Sequence, residues 1–147
     1  MRDLLLVLLL AVIAAPAAAQ NAPVGEDRSD ALVGTWEMVS QREVYADTTI
    51  DRGRFLGPSY KILNKTHFAF GRQLIVDGVP ADDVFAGGGR YRYDGKSRYV
   101  EYVEYHESAP TVGLEIEFDC RLQGDSLWFH TGTIGDMRLE EVWRRLD

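Results

Sequence analysis

The sequence predicts an all-β domain, an eight-stranded antiparallel up-and-down β-barrel, on three observations. Residues 112–122 alternate Val112, Leu114, Ile116, Phe118, Cys120 and Leu122 with Gly113, Glu115, Glu117, Asp119 and Arg121, giving one apolar face and one wet face. Turn signals recur at short intervals, and Asp94-Gly95 is the strongest, because such a pair tolerates the positive φ angles of a tight hairpin. Beyond residue 20 no stretch keeps a long 3.6-residue repeat. Closing eight strands into a tube removes both exposed edges, and leaves an interior wide enough for packed side chains or one small ligand.

The elements follow in order. The first strand is expected over 33–46. Strands at 59–63 and 66–71 flank Asn64-Lys65, and strands at 88–93 and 97–106 flank Asp94-Gly95. Strands at 111–122 and 126–131 flank Gln123-Gly124-Asp125, and 137–145 forms the last. Two longer connections remain, 47–58 and 73–87. Each reads as a lid or an irregular hairpin, and long loops at a barrel mouth often carry specificity, though they are also often plain surface.

The first residues read as a removable leader. Residues 4–14 are an unbroken apolar run, Pro16 breaks it, and Ala17-Ala18-Ala19 supplies the small residues of a cleavage site. The run is too short for a membrane span of about 20 helical residues. The expected organisation is a signal peptide at 1–19, a flexible leader at 20–32 with a short helical turn near 29–33, and the barrel at 33–147. The protein is then exported to the periplasm or the medium, with no transmembrane span in the mature chain.

The net charge of −7 over 147 residues argues against a nucleic-acid or anionic-membrane partner. Arg144-Arg145 is the only adjacent basic pair, and Glu140-Glu141 lies just upstream. Cys120 is the only cysteine, so no internal disulfide forms, and its alternation with Phe118 and Leu122 reads as a buried apolar thiol.

Catalytic and metal motifs are weak. Gly124-Asp125-Ser126-Leu127 spells an esterase motif, but it falls in a hairpin turn, with His130 at the far end of a strand and no oxyanion site implied. His67, His106 and His130 show no metal-ligand spacing. A set of His67, His130 and Glu101 is conceivable only across strands, and His67 reads better as an ordinary strand residue. Neither a metal nor a cofactor is expected. The band of Arg90, Tyr91, Arg92 and Tyr93 against 99–105 is explained by cross-strand Tyr–Arg and Arg–Glu pairs.

Parity in the first strand is more informative. If Trp36 points inward, so do Met38, Ser40, Arg42 and Val44, unless a bulge intervenes. An inward arginine needs a partner, because burying a lone charge is costly. The candidates are Glu101 or an anionic group of a ligand, with Tyr99 and Tyr105 available to join.

Gly34-Thr35-Trp36 at the head of that strand resembles the Gly-x-Trp signature of the lipocalin and fatty-acid-binding (calycin) superfamily. The segments Lys61-Ile62-Leu63-Asn64-Lys65-Thr66-His67-Phe68, Gly89-Arg90-Tyr91-Arg92-Tyr93-Asp94-Gly95 and Glu140-Glu141-Val142-Trp143-Arg144-Arg145 extend the likeness to small bacterial lipocalin-like domains. The resemblance implies that Trp36 closes one barrel end under a basic residue of the last strand, Arg144 or Arg145. It also implies, from fatty-acid-binding relatives, a carboxylate held by arginine and tyrosine.

The functional expectation is non-covalent binding of a small, partly apolar molecule, with an anionic group as one option. Arg42 is its anchor. Met38, Leu114, Ile116 and Phe118 line the site with Phe68 or Phe70, and Tyr99, Glu101 and Tyr105 add polarity. Two rivals are an enzyme built on Glu101, Arg42 and tyrosines, and an envelope interaction protein with a packed interior. A pocket in which Glu101 and a tyrosine converge at about 3 Å favours the enzyme. A packed interior favours the interaction protein.

Overall fold

The structure is a computed structural model and describes residues 29–53 and 56–147. The expected signal peptide at 1–19 and most of the 20–32 leader lie outside the described residues. Among these there are nine strands: β1 (Gly34–Val44), β2 (Thr49–Asp51), β3 (Leu56–Leu63), β4 (His67–Val76), β5 (Val79–Tyr93), β6 (Arg98–His106), β7 (Glu115–Gln123), β8 (Leu127–Ile134) and β9 (Met137–Arg145). From β3 onward each strand pairs antiparallel with the next, and β9 pairs back onto β1. The ring is therefore eight-stranded and closed, an up-and-down barrel of lipocalin-like shape. The short β2 lies outside the ring and pairs with β1 alone, Arg42 opposite Asp51 and Val44 opposite Thr49.

Several segments differ from the expectation. The 73–87 connection is a regular hairpin of two long strands rather than a lid or an irregular one, because β4 runs to Val76 and β5 starts at Val79. Asp77 and Gly78 make the turn with φ of 53° and 81°, the conformation in which a two-residue loop matches the strand twist. Pro80 and Asp82-Asp83 hid this strand, since both residue types are depleted in sheets. The 47–58 connection is the irregular hairpin formed by β2. Residues 111–114 are not strand: a 3-10 turn at Ala109–Thr111 leads to Gly113 at φ 87°, and β7 starts only at Glu115.

At one end the barrel is sealed. A 3-10 turn at Ser29–Ala31 brings in Leu32, which is fully buried. Its carbonyl accepts the Trp36 indole N–H at 2.9 Å. Trp36 packs edge-on against Trp128 with centroids 5.5 Å apart, and Tyr99 meets Trp128 at 5.0 Å. Among the described residues, no helix is long and apolar enough to cross a membrane.

Candidate functional site

The other end of the barrel holds a cavity of about 550 Å³. Its apolar wall includes Phe70, Phe85, Val103, Ile116, Phe118 and Leu139. Its polar lining comes from Gln41, Glu43, Arg52, Lys61, Arg72, Glu101, His106 and Glu141, with Ser108 and Thr111. A site of this size, mainly apolar with a few placed polar groups, has the usual design of a small-molecule pocket.

Two bulges decide which side chains reach it. On β1 the register with β9 slips between Met38 and Ser40, so Val39 is an extra residue. Before the bulge Trp36 and Met38 face inward; after it Gln41 and Glu43 do. Arg42 is thereby turned outward, half exposed, and pairs with Glu140 at 3.0 Å. The expected anchor is corrected on that ground: Arg42 does not reach the interior. On β6 the register with β5 slips between Gly88 and Gly89, which makes Glu104 the extra residue. Tyr105 is turned out to 52% exposure and His106 takes the inward position. Gly87 allows this packing, because a Cβ there would lie 2.8 Å from both the His106 ring and the Phe70 ring. Phe70, Phe85 and His106 form one aromatic wall, with His106 meeting Phe85 edge-on at 5.0 Å.

The remaining expected residues divide. Phe70, Glu101, Ile116 and Phe118 line the cavity. Phe68, Tyr99 and Met38 belong to the core beside it. Leu114 is 41% exposed, because it precedes β7 and parity does not extend past the strand. At the sealed end the Arg145 guanidinium covers Trp36 at 4.2 Å, whereas Arg144 points outward to Glu37.

The cavity floor is a polar network in which sequence reasoning named Tyr99 and Glu101 but missed Lys61, Arg72 and Glu141. Lys61 Nζ donates to Glu101 Oε1 at 2.8 Å, and both side chains are buried. The Tyr99 hydroxyl donates to the same oxygen at 3.0 Å. Burial, and the carboxylate beside it, raise the Tyr99 phenol well above its ordinary range, so it keeps its proton. Lys61 also lies 5.1 Å from the Trp143 ring centre and 5.3 Å from that of Trp128. Alongside, His130 Nε2 lies 2.5 Å from Glu141 Oε2, which also accepts the Trp143 indole N–H at 3.0 Å. Burial pushes the Glu141 carboxyl upward, but His130, Lys61 and Arg72 outweigh it and bring the group to about 2. Burial and then Lys61 hold His130 below its ordinary value. The pair therefore reads as neutral imidazole and carboxylate, with the Nε2 proton donated to Glu141; this tautomer is assigned from the hydrogen bonding. His130 also stacks on Phe118 at 4.5 Å.

Arg72 completes the floor. It donates to the Gln41 side-chain oxygen, lies 3.6 Å from Glu141 Oε1, and rests on Phe85 at 4.9 Å. Its Nε–H finds no acceptor among the described residues. The signal that would have found these groups is parity. Arg72 shares a face with Phe68 and Phe70, His130 with Trp128, and Glu141 with Leu139 and Trp143.

Elsewhere the chemistry is quiet. His67 is exposed, with Nδ1 2.8 Å from the Thr66 hydroxyl, far in character from buried His130. Among the described residues no cluster of His, Cys, Asp and Glu could hold a metal ion. Cys120 is buried, and burial pushes its thiol up to about 12. Gly124, Asp125 and Ser126 form the β7–β8 turn.

No family model and no curated protein matches the chain. Among solved structures it is similar to a redesigned β-barrel, at 16% identity and TM-score 0.49, covering 81% of this chain and 95% of that one. The structure is a closed eight-stranded antiparallel barrel with a cavity, open at one end, over a buried ionic floor.

Proposed function

We propose that the protein binds a small, partly apolar molecule non-covalently inside the barrel. The observation that carries this reading is the cavity of about 550 Å³ at the unsealed end, with its aromatic and aliphatic wall. The anchoring role expected of Arg42 passes to the floor, where Arg72 is the polar group nearest the Phe70–Phe85 wall. The chain is read as a small bacterial lipocalin-like domain, supported by the Gly34 and Trp36 pattern and by the Arg145 cover on Trp36. It acts outside the cytoplasm, a reading supported by the run at 4–14 and the alanines before Gln20. Mass spectrometry of the mature chain is expected to find Gln20 first; a retained residue 1 would refute export by cleavage.

Native mass spectrometry, followed by solvent extraction, tests the binding reading. The wild type is expected to carry extractable small molecules, and Ile116→Trp, which fills the cavity, is expected to lose them. Empty wild-type protein that also takes up no apolar probe would sink the reading.

A second reading, acid–base catalysis, draws on the 3.0 Å convergence of Tyr99 and Glu101. Binding is preferred because Tyr99 is fully buried behind the floor and shares its acceptor oxygen with Lys61. The phenol there braces a carboxylate already engaged by a cation and has no open path to a guest.

A further inference from the structure

We infer that the guest of this cavity carries no net charge. The inference rests on the enclosed-binding reading and adds the charge class of the ligand. Three cationic and three anionic side chains line the cavity: Arg52, Lys61 and Arg72 against Glu43, Glu101 and Glu141. They are matched one to one. Arg52 forks onto Glu43 through Nε and Nη2 at 2.9 and 2.8 Å. Lys61 meets Glu101 at 2.8 Å, and Arg72 faces Glu141 at 3.6 Å. His106 accepts the Ser108 amide N–H at Nδ1, which is the behaviour of a neutral ring.

Every full charge on the wall thus has an opposite partner on the same wall. A carboxylate or sulfonate entering the cavity must shed its water and finds no cation free of a counter-charge. To gain a cation of its own it must break an existing pair, or share Arg72, whose Nε–H is open, with Glu141. At the floor, where the Lys61–Glu101 and Arg72–Glu141 pairs are buried, breaking a pair leaves a glutamate uncompensated. An ammonium group meets the mirror-image obstacle. A neutral molecule incurs neither cost: its body contacts Phe70, Phe85, Ile116 and Phe118, and its oxygens or N–H groups find neighbours at the floor. This departs from the anionic option raised by the sequence, which depended on Arg42 pointing inward.

Two probes with one ring skeleton test the inference: uncharged N-phenyl-1-naphthylamine and anionic 1-anilinonaphthalene-8-sulfonate, titrated by fluorescence at neutral pH. The wild type is expected to hold the neutral probe about ten-fold or more tighter than the sulfonate, as an uncompensated buried charge requires. Glu43→Gln, which frees Arg52, is expected to raise sulfonate affinity by about five-fold relative to the neutral probe measured on the same variant. Glu101→Gln, freeing Lys61, makes the same comparison at the floor should the first variant not fold. Sulfonate binding as tight as that of the neutral probe, and lost in Ile116→Trp, overturns the charge inference and leaves enclosed binding standing. A neutral-to-sulfonate ratio unchanged by freeing either cation overturns it as well. Binding of neither probe overturns both readings.

Discussion

The Arg145 guanidinium lies 4.2 Å from the ring of Trp36 and closes the barrel at the end away from the cavity. The same side chain donates to the carbonyls of Ala31, Val33 and Asp125 at 2.7, 2.5 and 2.8 Å, tying the entering chain, the ring and the β7–β8 turn together. Arg144, its neighbour, points outward to Glu37 and is more than half exposed.

This contrast sets the first prediction. Arg145→Ala loses the cation–π contact and three charge-assisted hydrogen bonds, and is expected to lower stability by about 2–4 kcal/mol. Arg144→Ala removes an exposed ion pair and is expected to cost less than about 1 kcal/mol. Urea unfolding of the two variants measures the difference. Equal losses would show that Arg145 is not the closing residue.

The buried pair of Lys61 and Glu101 gives the second prediction. Lys61→Met leaves Glu101 buried without its cation and is expected to destabilise by about 3–5 kcal/mol. The double variant Lys61→Met/Glu101→Leu removes both charges and should recover much of that loss, because apolar replacement of a whole buried pair is often neutral. Tyr99 then loses its acceptor, so recovery is expected to be incomplete. Denaturation midpoints of the single and double variants read the coupling directly. A double variant no more stable than Lys61→Met would contradict it.

Acid sensitivity is the third. His130 and His106 are both held below their ordinary values, mainly by burial. Their unfolded forms therefore bind protons first, and stability falls as pH drops below about 6.5. Glu141 has a folded value of about 2 against an ordinary 4.5. Its contribution, on the order of 3 kcal/mol, is present above pH 4.5 and is lost as pH falls toward 2. His130→Gln keeps a donor for Glu141 without a titrating ring. It is expected to flatten the stability profile just below pH 6.5 in part, with His106 supplying the remainder. A profile identical to wild type would exclude His130 as a source of the slope.

Arg42 supplies the fourth. Its side chain is 53% exposed and its partner Glu140 is at the surface, so Arg42→Ala is expected to change stability by less than about 1 kcal/mol. Neutral-probe affinity should not move. A loss of probe binding on that substitution would mean that the side chain reaches the cavity after all.

The barrel was legible because its signals are local and repeated. The alternation of Ile116, Phe118 and Cys120, the turn at Asp94-Gly95 and the apolar faces each follow from a two-residue period that any half-buried strand must keep. The cavity was less legible, because an inward position depends on counting from a reference residue, and one extra residue reverses the count. Arg42 lies beyond the bulge at Val39, and Tyr105 beyond that at Glu104, so both were assigned to the wrong face. Ile116 and Phe118 lie in a strand with no register slip against β6 or β8, and they line the cavity. The ionic floor was hidden for a different reason. Lys61, Arg72 and Glu141 look like solvent-facing residues one at a time, and burial becomes tolerable only when they meet across strands.

The extra residue at Val39 has an evolutionary corollary. Loss of its codon would straighten β1 and still leave Gln41 and Glu43 facing the lumen, because Ser40 would then follow Met38 in regular alternation. Were the intact strand instead to pair regularly through Val39, its downstream half would slip by one position, turning Arg42 inward and Gln41 and Glu43 outward. The lumen would then change from electrically balanced to cationic without any amino acid being replaced. Descendants that shorten this strand therefore keep a balanced lumen, whereas a change of pairing alone alters the charge of the guest, a route that comparisons of aligned residue identities overlook.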